Sequence, residues 1–158
     1  MLAFVSAVAA APSASAKVIV AGYPLARACP AAGVRDEVDP WMMNSCNCTS
    51  YVAWALRAND QRTDWFVPGS MDAWNWPNVA ARAGVPVGTT PRVGAVAVWP
   101  KLSRPWGHVA YVTAVNHDGT FDVSEYNLGP RFGYPRFTYD ARRGVDTHGA
   151  VFIYVPRR

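Results

Sequence analysis

After Pro86 the chain changes its period, and that change constrains its fold more than any other feature. Upstream, "CTSYVAWALRA" (48–58) carries Tyr51, Val52, Ala55 and Leu56 at helical spacing. Downstream, "GAVAVW" (94–99), "HVAYVTAV" (108–115), "TFDVSEYN" (120–127), "PRFTY" (135–139) and "AVFIYV" (150–155) are short, rich in Val, Tyr and Phe, and bounded by turn residues. Each predicts a strand. A second helix is predicted within "SMDAWNWPNVAARAG", where Ser70 suits an N-cap and Gly84 the position past the end. Pro77 either kinks that helix or marks its true start. Helices first and a five-stranded antiparallel sheet second make an α+β chain. No internal repeat or low-complexity linker interrupts it.

The length of 158 residues suits one domain, and 51% apolar with 16% charged residues suits a globular core. Residues 1–16, "MLAFVSAVAAAPSASA", are apolar, then small, and end in Ala14-Ser15-Ala16, a pattern of signal-peptidase sites, without the usual basic start. We expect a signal peptide over 1–16, an irregular N-terminal arm over 17–43, where Pro, Gly and acidic residues show no period, and the functional domain over 44–158. No other apolar run approaches the roughly 20 residues of a bilayer span. The expectation is an exported protein, secreted or wall-associated, with no membrane span. A net charge of +4 would draw anionic wall polymers, although scattered arginine also serves as plain solvated surface. No helix-turn-helix, zinc-finger or RNA-recognition pattern occurs, so nucleic acid is not an expected partner.

In an oxidising compartment, three cysteines suggest one bridge and one free thiol. Cys46 and Cys48 are separated by one residue, which strains a bridge between them. Pairing Cys29 with Cys46 would tie the arm to the helix entrance and leave Cys48 free; a bridge through Cys48 is the alternative. A zinc site from the cysteines and a histidine lacks the spaced ligand pairs such sites use. Cys48 opens a helix, where unpaired N–H groups and the helix dipole favour thiolate, the nucleophilic form.

A nucleophilic thiol needs a base, and the base an orienting acceptor. His117 and His148 flank turn residues and read as solvated loop positions. His108 opens an apolar strand directly after Gly107. Glu125, in the next strand among apolar neighbours, shares a face with Asn127 because strand side chains alternate. A two-residue turn at Asp118-Gly119 or a four-residue turn over 116–119 would bring His108 to that face. A three-residue turn would not. A helix starting with Cys48 and packed across that face would complete a Cys-His-Glu arrangement.

The pieces "NCTSYVAWALR", "PRVGAVAVWP" and "WGHVAYVTAVNHDGTFDVSEYN" resemble, in order, the motifs of CHAP domains, the cysteine- and histidine-dependent amidohydrolase/peptidases. The resemblance covers residues 44–127. It implies a papain-like α+β fold and action on peptidoglycan as an N-acetylmuramoyl-L-alanine amidase or peptide endopeptidase. It also implies Cys48 as nucleophile, His108 as base, Glu125 as the group orienting the imidazole, and Asn127 as an accessory polar residue. Asn47 stands where the family often has a glutamine that assists the oxyanion hole, one methylene shorter. Some members bind calcium through a spaced acidic run; "RDEVDP" (35–40) lacks that spacing, so no metal and no cofactor are expected. The "NCT" sequon would put a sugar at the active-site entrance and is discounted. Trp106, beside His108 in a Pro/Gly loop, is the candidate for lining the cleft, while Trp54, Trp74 and Trp99 are expected in the core. The expected partner is peptidoglycan, met by a monomer. The alternatives are a wall-binding protein that has lost catalysis and an exported antibacterial effector with the same chemistry.

Overall fold

The computed structural model describes residues 18–27, 29, 38–67 and 72–158. The expected signal peptide and Ser70 lie outside them. Helix α1 spans Cys48–Ala58 and buries Tyr51, Val52, Ala55 and Leu56 along the predicted stripe. It stops where Asn59 folds its amide back onto the Ala55 carbonyl at 2.8 Å and Asp60 turns left-handed at φ 60°. A short 3-10 turn, Ala73–Asn75, leads into α2, Trp76–Arg82. Pro77 therefore sits in the first turn of α2, where its missing N–H costs nothing.

Six strands follow: β1 Val87–Gly88, β2 Val96–Trp99, β3 His108–Val115, β4 Phe121–Tyr126, β5 Tyr139–Val145 and β6 Val151–Ile153. They form one sheet in the order β1-β6-β2-β3-β4-β5 with every pair antiparallel. The count is six rather than five because β1 adds a two-residue edge. The strand expected at 135–139 forms instead at Tyr139–Val145. A 3-10 turn at Pro130–Phe132 and left-handed Phe137 (φ 56°) occupy the stretch before it. Charged, half-exposed "YDARRGV" is an edge strand, the kind whose composition hides it from a hydrophobic pattern. β6 returns to pair with β2, so the meander covers only β2 to β5.

The core splits by strand parity. Val96, Val98, Val109, Tyr111, Tyr126 and Ile153 pack with α1 and α2, while Ala97, Trp99, Ala110, Val112, Phe121, Val123 and Phe152 form a second cluster. His108 shares the side of Trp99, 6.3 Å between ring centres, so α1 lies against the face opposite His108 and not across it. Trp99 is buried as expected, Trp54 is half-buried, and Trp74 is 44% exposed, a departure from its expected core place. The arm residues run along α1: Tyr51 donates to the Val20 carbonyl at 2.9 Å, and Tyr23 is shared by Ser50 (2.7 Å) and the Cys46 N–H (3.2 Å). Cys29 and Cys46 form a disulfide across 5.5 Å between Cα atoms.

The register of β3 on β4 decides the site. From the turn the pairs run Val115↔Phe121 and Ala114↔Asp122, a five-residue connection. Continued unbroken, that ladder would set His108 opposite Leu128 and leave Glu125 on the other face. Thr113 is an extra residue, a β-bulge, and beyond it the pairs become Val112↔Val123 and Tyr111↔Ser124. The turn has neither expected length, and the bulge restores the parity that brings His108 and Glu125 together.

Candidate active site

Cys48 is the free cysteine and lies half-buried at the first position of α1. Asn47 before it is extended (φ −105°, ψ 166°) and makes no side-chain cap, so the helix entrance keeps its N–H groups available. The Cys48 thiol lies near enough to His108 for its charge and hydrogen-bonding capacity to act on the imidazole. They meet because His108 is the first residue of β3, where a side chain from the far face can reach past the strand end to the helix start. Gly107 (φ 77°) makes that approach: a Cβ there would lie 2.5 Å from the Trp74 nitrogen, which donates to the Trp106 carbonyl at 3.0 Å.

His108 Nε2 lies 2.7 Å from Glu125 Oε2, which leaves Nδ1 for Cys48. Both side chains are shut from solvent, Glu125 at 0% exposure. Burial alone would push the imidazole down, but the charge and hydrogen bond of Cys48, then Glu125, outweigh it and lift His108 to about 9. Burial likewise opposes an ionised Glu125, yet hydrogen bonds and charge from His108 and Arg142 hold it below the ordinary carboxylate range. The sequence pattern did not single out Arg142. Its guanidinium takes both carboxylate oxygens, Nε on Oε1 and a terminal nitrogen on Oε2 at 3.0 Å, and lies 5.1 Å over the Trp99 ring. Its parity with Glu125 follows from the β4–β5 register, Glu125↔Asp140 and Val123↔Arg142, in a strand that carries no apolar signal.

Asn127 takes a different place from the one its parity suggested. Left-handed at φ 54°, it turns from His108 and donates Nδ2 to Asn47 Oδ1 at 2.7 Å, while its own Oδ1 accepts from the Phe137 N–H at 2.9 Å. A backbone N–H can only donate, so it fixes which way both amides point and leaves Asn47 Nδ2 free of the pair. A cleft of about 670 Å³ lies over these groups, lined among others by Asn47, Cys48, His108, Asn127, Arg131 and Phe137. Trp106 lines it too and is 61% exposed. His117 and His148 are exposed. Among the described residues no helix is long and apolar enough to cross a membrane, and no three His, Cys, Asp or Glu side chains converge as a metal site.

Such a centre offers a thiol, an acid–base group and a buried orienting carboxylate in one row, the set required for acyl transfer. The staphylococcal secretory antigen ssaA2 of Staphylococcus aureus is 48% identical over 58 residues, 37% of this chain and 21% of that protein. The secretory antigen SsaA of the same species is 47% identical over 58 residues, 22% of its length. This chain thus matches about a fifth of each relative. The crystal structure of an N-acetylmuramoyl-L-alanine amidase from Staphylococcus aureus is similar in fold, with TM-score 0.56 and 24% identity over 70% of this chain and 30% of that one. The sequence model described as CHAP domain matches residues 38–127, more than half of the chain and all of the site up to Asn127, and the chain belongs to the CHAP domain family.

Proposed function

We propose that this chain hydrolyses an amide bond of bacterial peptidoglycan by cysteine-dependent acyl transfer. The observation that carries the reading is the continuous row Cys48, His108, Glu125 at the base of an open cleft. The Cys48 thiolate attacks the amide carbonyl and forms a tetrahedral oxyanion. The C–N bond breaks as imidazolium His108 gives its proton to the leaving amine, and a thioester remains. Water then attacks the thioester, His108 takes the water's proton, and a carboxylic acid and the thiol are released. An imidazole lifted to about 9 is charged at neutral pH and so ready to act as the acid. Glu125 holds the ring by Nε2, and Asn47 Nδ2 with the N–H groups at the α1 start are the donors for the oxyanion.

The substrate class rests on the family and on the amidase and secretory antigens to which the chain is similar. Whether the scissile bond is N-acetylmuramoyl-L-alanine or a peptide link is read from the products. Residues 1–16 as a leader and the domain's place outside the cell belong to the same proposal. Purified cell walls are incubated with the protein and with Cys48→Ala, and the soluble fragments are weighed by mass spectrometry. New amine and carboxyl ends with the wild type and none with Cys48→Ala are expected. Walls left uncut by a folded protein whose Cys48 still reacts with iodoacetamide would overturn the substrate.

A further inference from the structure

We propose that Arg142 is a positioning residue of this centre, gripping both oxygens of Glu125 so that the carboxylate stays charged and aimed at His108. The proposal rests on the catalytic row described above but not on its substrate. A carboxylate with no solvent contact is costly to ionise unless it is paired and hydrogen-bonded on each oxygen. His108 satisfies one oxygen only, at 2.7 Å. Arg142 supplies the rest through a two-point fork, the geometry a guanidinium offers and an ammonium cannot. Its own aim is set by Trp99, whose ring lies beneath the guanidinium at 5.1 Å and beside the His108 ring at 6.3 Å. The indole is thus a common floor for both partners of Glu125.

Charge alternation gives the fork its meaning for catalysis. In the reactive state the row reads thiolate, imidazolium, carboxylate, guanidinium, with no net charge. Without Arg142 the same buried row carries one uncompensated negative charge. The remaining groups that face Glu125 do not replace it. Tyr51 of α1 is neutral, its phenol pushed up by burial. Tyr134, before β5, is also pushed up, chiefly by burial, and Asp140 stands directly opposite Glu125 in β5 with a like charge.

Two variants test this, Arg142→Met, close in length without charge, and Arg142→Lys, which keeps charge but not the fork. The first readout is the rate of Cys48 alkylation by iodoacetamide against pH, which needs no cell wall and reports one thiol because Cys29 and Cys46 are bridged. In Arg142→Met, Glu125 should protonate at higher pH, moving the acid limb of the profile up by about 1–3 units, the displacement a nearby opposite charge produces. Arg142→Lys should shift less, with a lower rate at neutral pH than wild type. The second readout is turnover of purified cell walls, whose acid limb should move in parallel. Folded variants with wild-type profiles overturn the proposal, and so does failure of both to fold, which would make Arg142 structural. If Met alone fails to fold, a Lys profile equal to wild type overturns it. Shifted alkylation profiles with no wall turnover by any form would uphold Arg142 and reject the substrate.

Discussion

Replacing Glu125 with glutamine keeps the shape of the side chain and removes its charge, and the contacts around it set the consequence for each neighbour. Arg142 donates to both oxygens and His108 Nε2 meets Oε2. A glutamine has one acceptor for these contacts. If its oxygen stays with Arg142 Nε, its NH2 faces His108 and turns Nε2 into an acceptor. The ring proton then sits on Nδ1, facing Cys48, and the imidazole can no longer take the thiol's proton. If the amide is reversed, its N–H groups oppose the Arg142 Nε–H. The lift of His108 from 6.5 to about 9 corresponds to roughly 3 kcal/mol, of which Glu125 supplies the share remaining after Cys48. We expect turnover to fall about 10⁴-fold, as when a triad carboxylate becomes its amide. Its alkaline limb should move to lower pH. Leaving the partly buried Arg142 guanidinium without its charge partner should also cost about 1.5–3 kcal/mol of stability. Adding Arg142→Met to Glu125→Gln should recover part of that stability and none of the turnover. The assay is wall turnover against pH with urea unfolding of the single and double variants. A folded Glu125→Gln with near-wild-type turnover and an unmoved profile would refute the reasoning.

Other outcomes rest on the same contacts. Cys48→Ala should lose all hydrolysis with an unchanged circular dichroism spectrum, whereas Cys46→Ala should lose about 3 kcal/mol of stability, the scale for a bridge between residues 17 apart; equal melting of Cys46→Ala and wild type contradicts the division. Asn127→Asp still accepts from Phe137, but its second oxygen requires Asn47 to turn its NH2 inward and its carbonyl to the cleft. The kcat should then drop about 10²–10³-fold with little change in KM, the scale for one lost oxyanion donor, and an unchanged kcat would remove Asn47 from that role. Gly107→Ala forces a left-handed side chain against the Trp74 backbone and should cost about 2–5 kcal/mol in thermal unfolding. Stability should also depend on pH in a defined way. The His108 share is complete below 6.5 and is lost as pH rises through about 9. The Glu125 share is present above 4.5 and is lost as pH falls through its lowered folded value. A melting temperature highest between these limits is expected, with the alkaline fall beginning earlier in Cys48→Ala.

Much of this was legible in one dimension because it depends on local periodicity. The α1 span Cys48–Ala58 and the strands around His108 and Glu125 follow from spacing and side-chain type, whereas a bridge through Cys48 stayed open until the structure paired Cys29 with Cys46. Local steric and hydrophobic preferences act within a few residues, so the sequence carries them openly. The placement of β6 between β1 and β2, the packing of α1 on the face away from His108, and the exposed edge strand β5 depend on which surfaces meet. Arg142 could not be assigned for that reason: its meaning comes from a register with β4 that no apolar pattern announces. Asn127 had the right parity, but a left-handed backbone turned it to Asn47. The clearest case is Thr113. The turn of residues 116–120 alone would set His108 and Glu125 on opposite faces, and one bulged residue reverses that. Sequence determined that a thiol, an imidazole and a carboxylate were available at element ends. Tertiary structure decided that they face each other, because strand parity changes with a single residue and is set by pairing across the whole sheet.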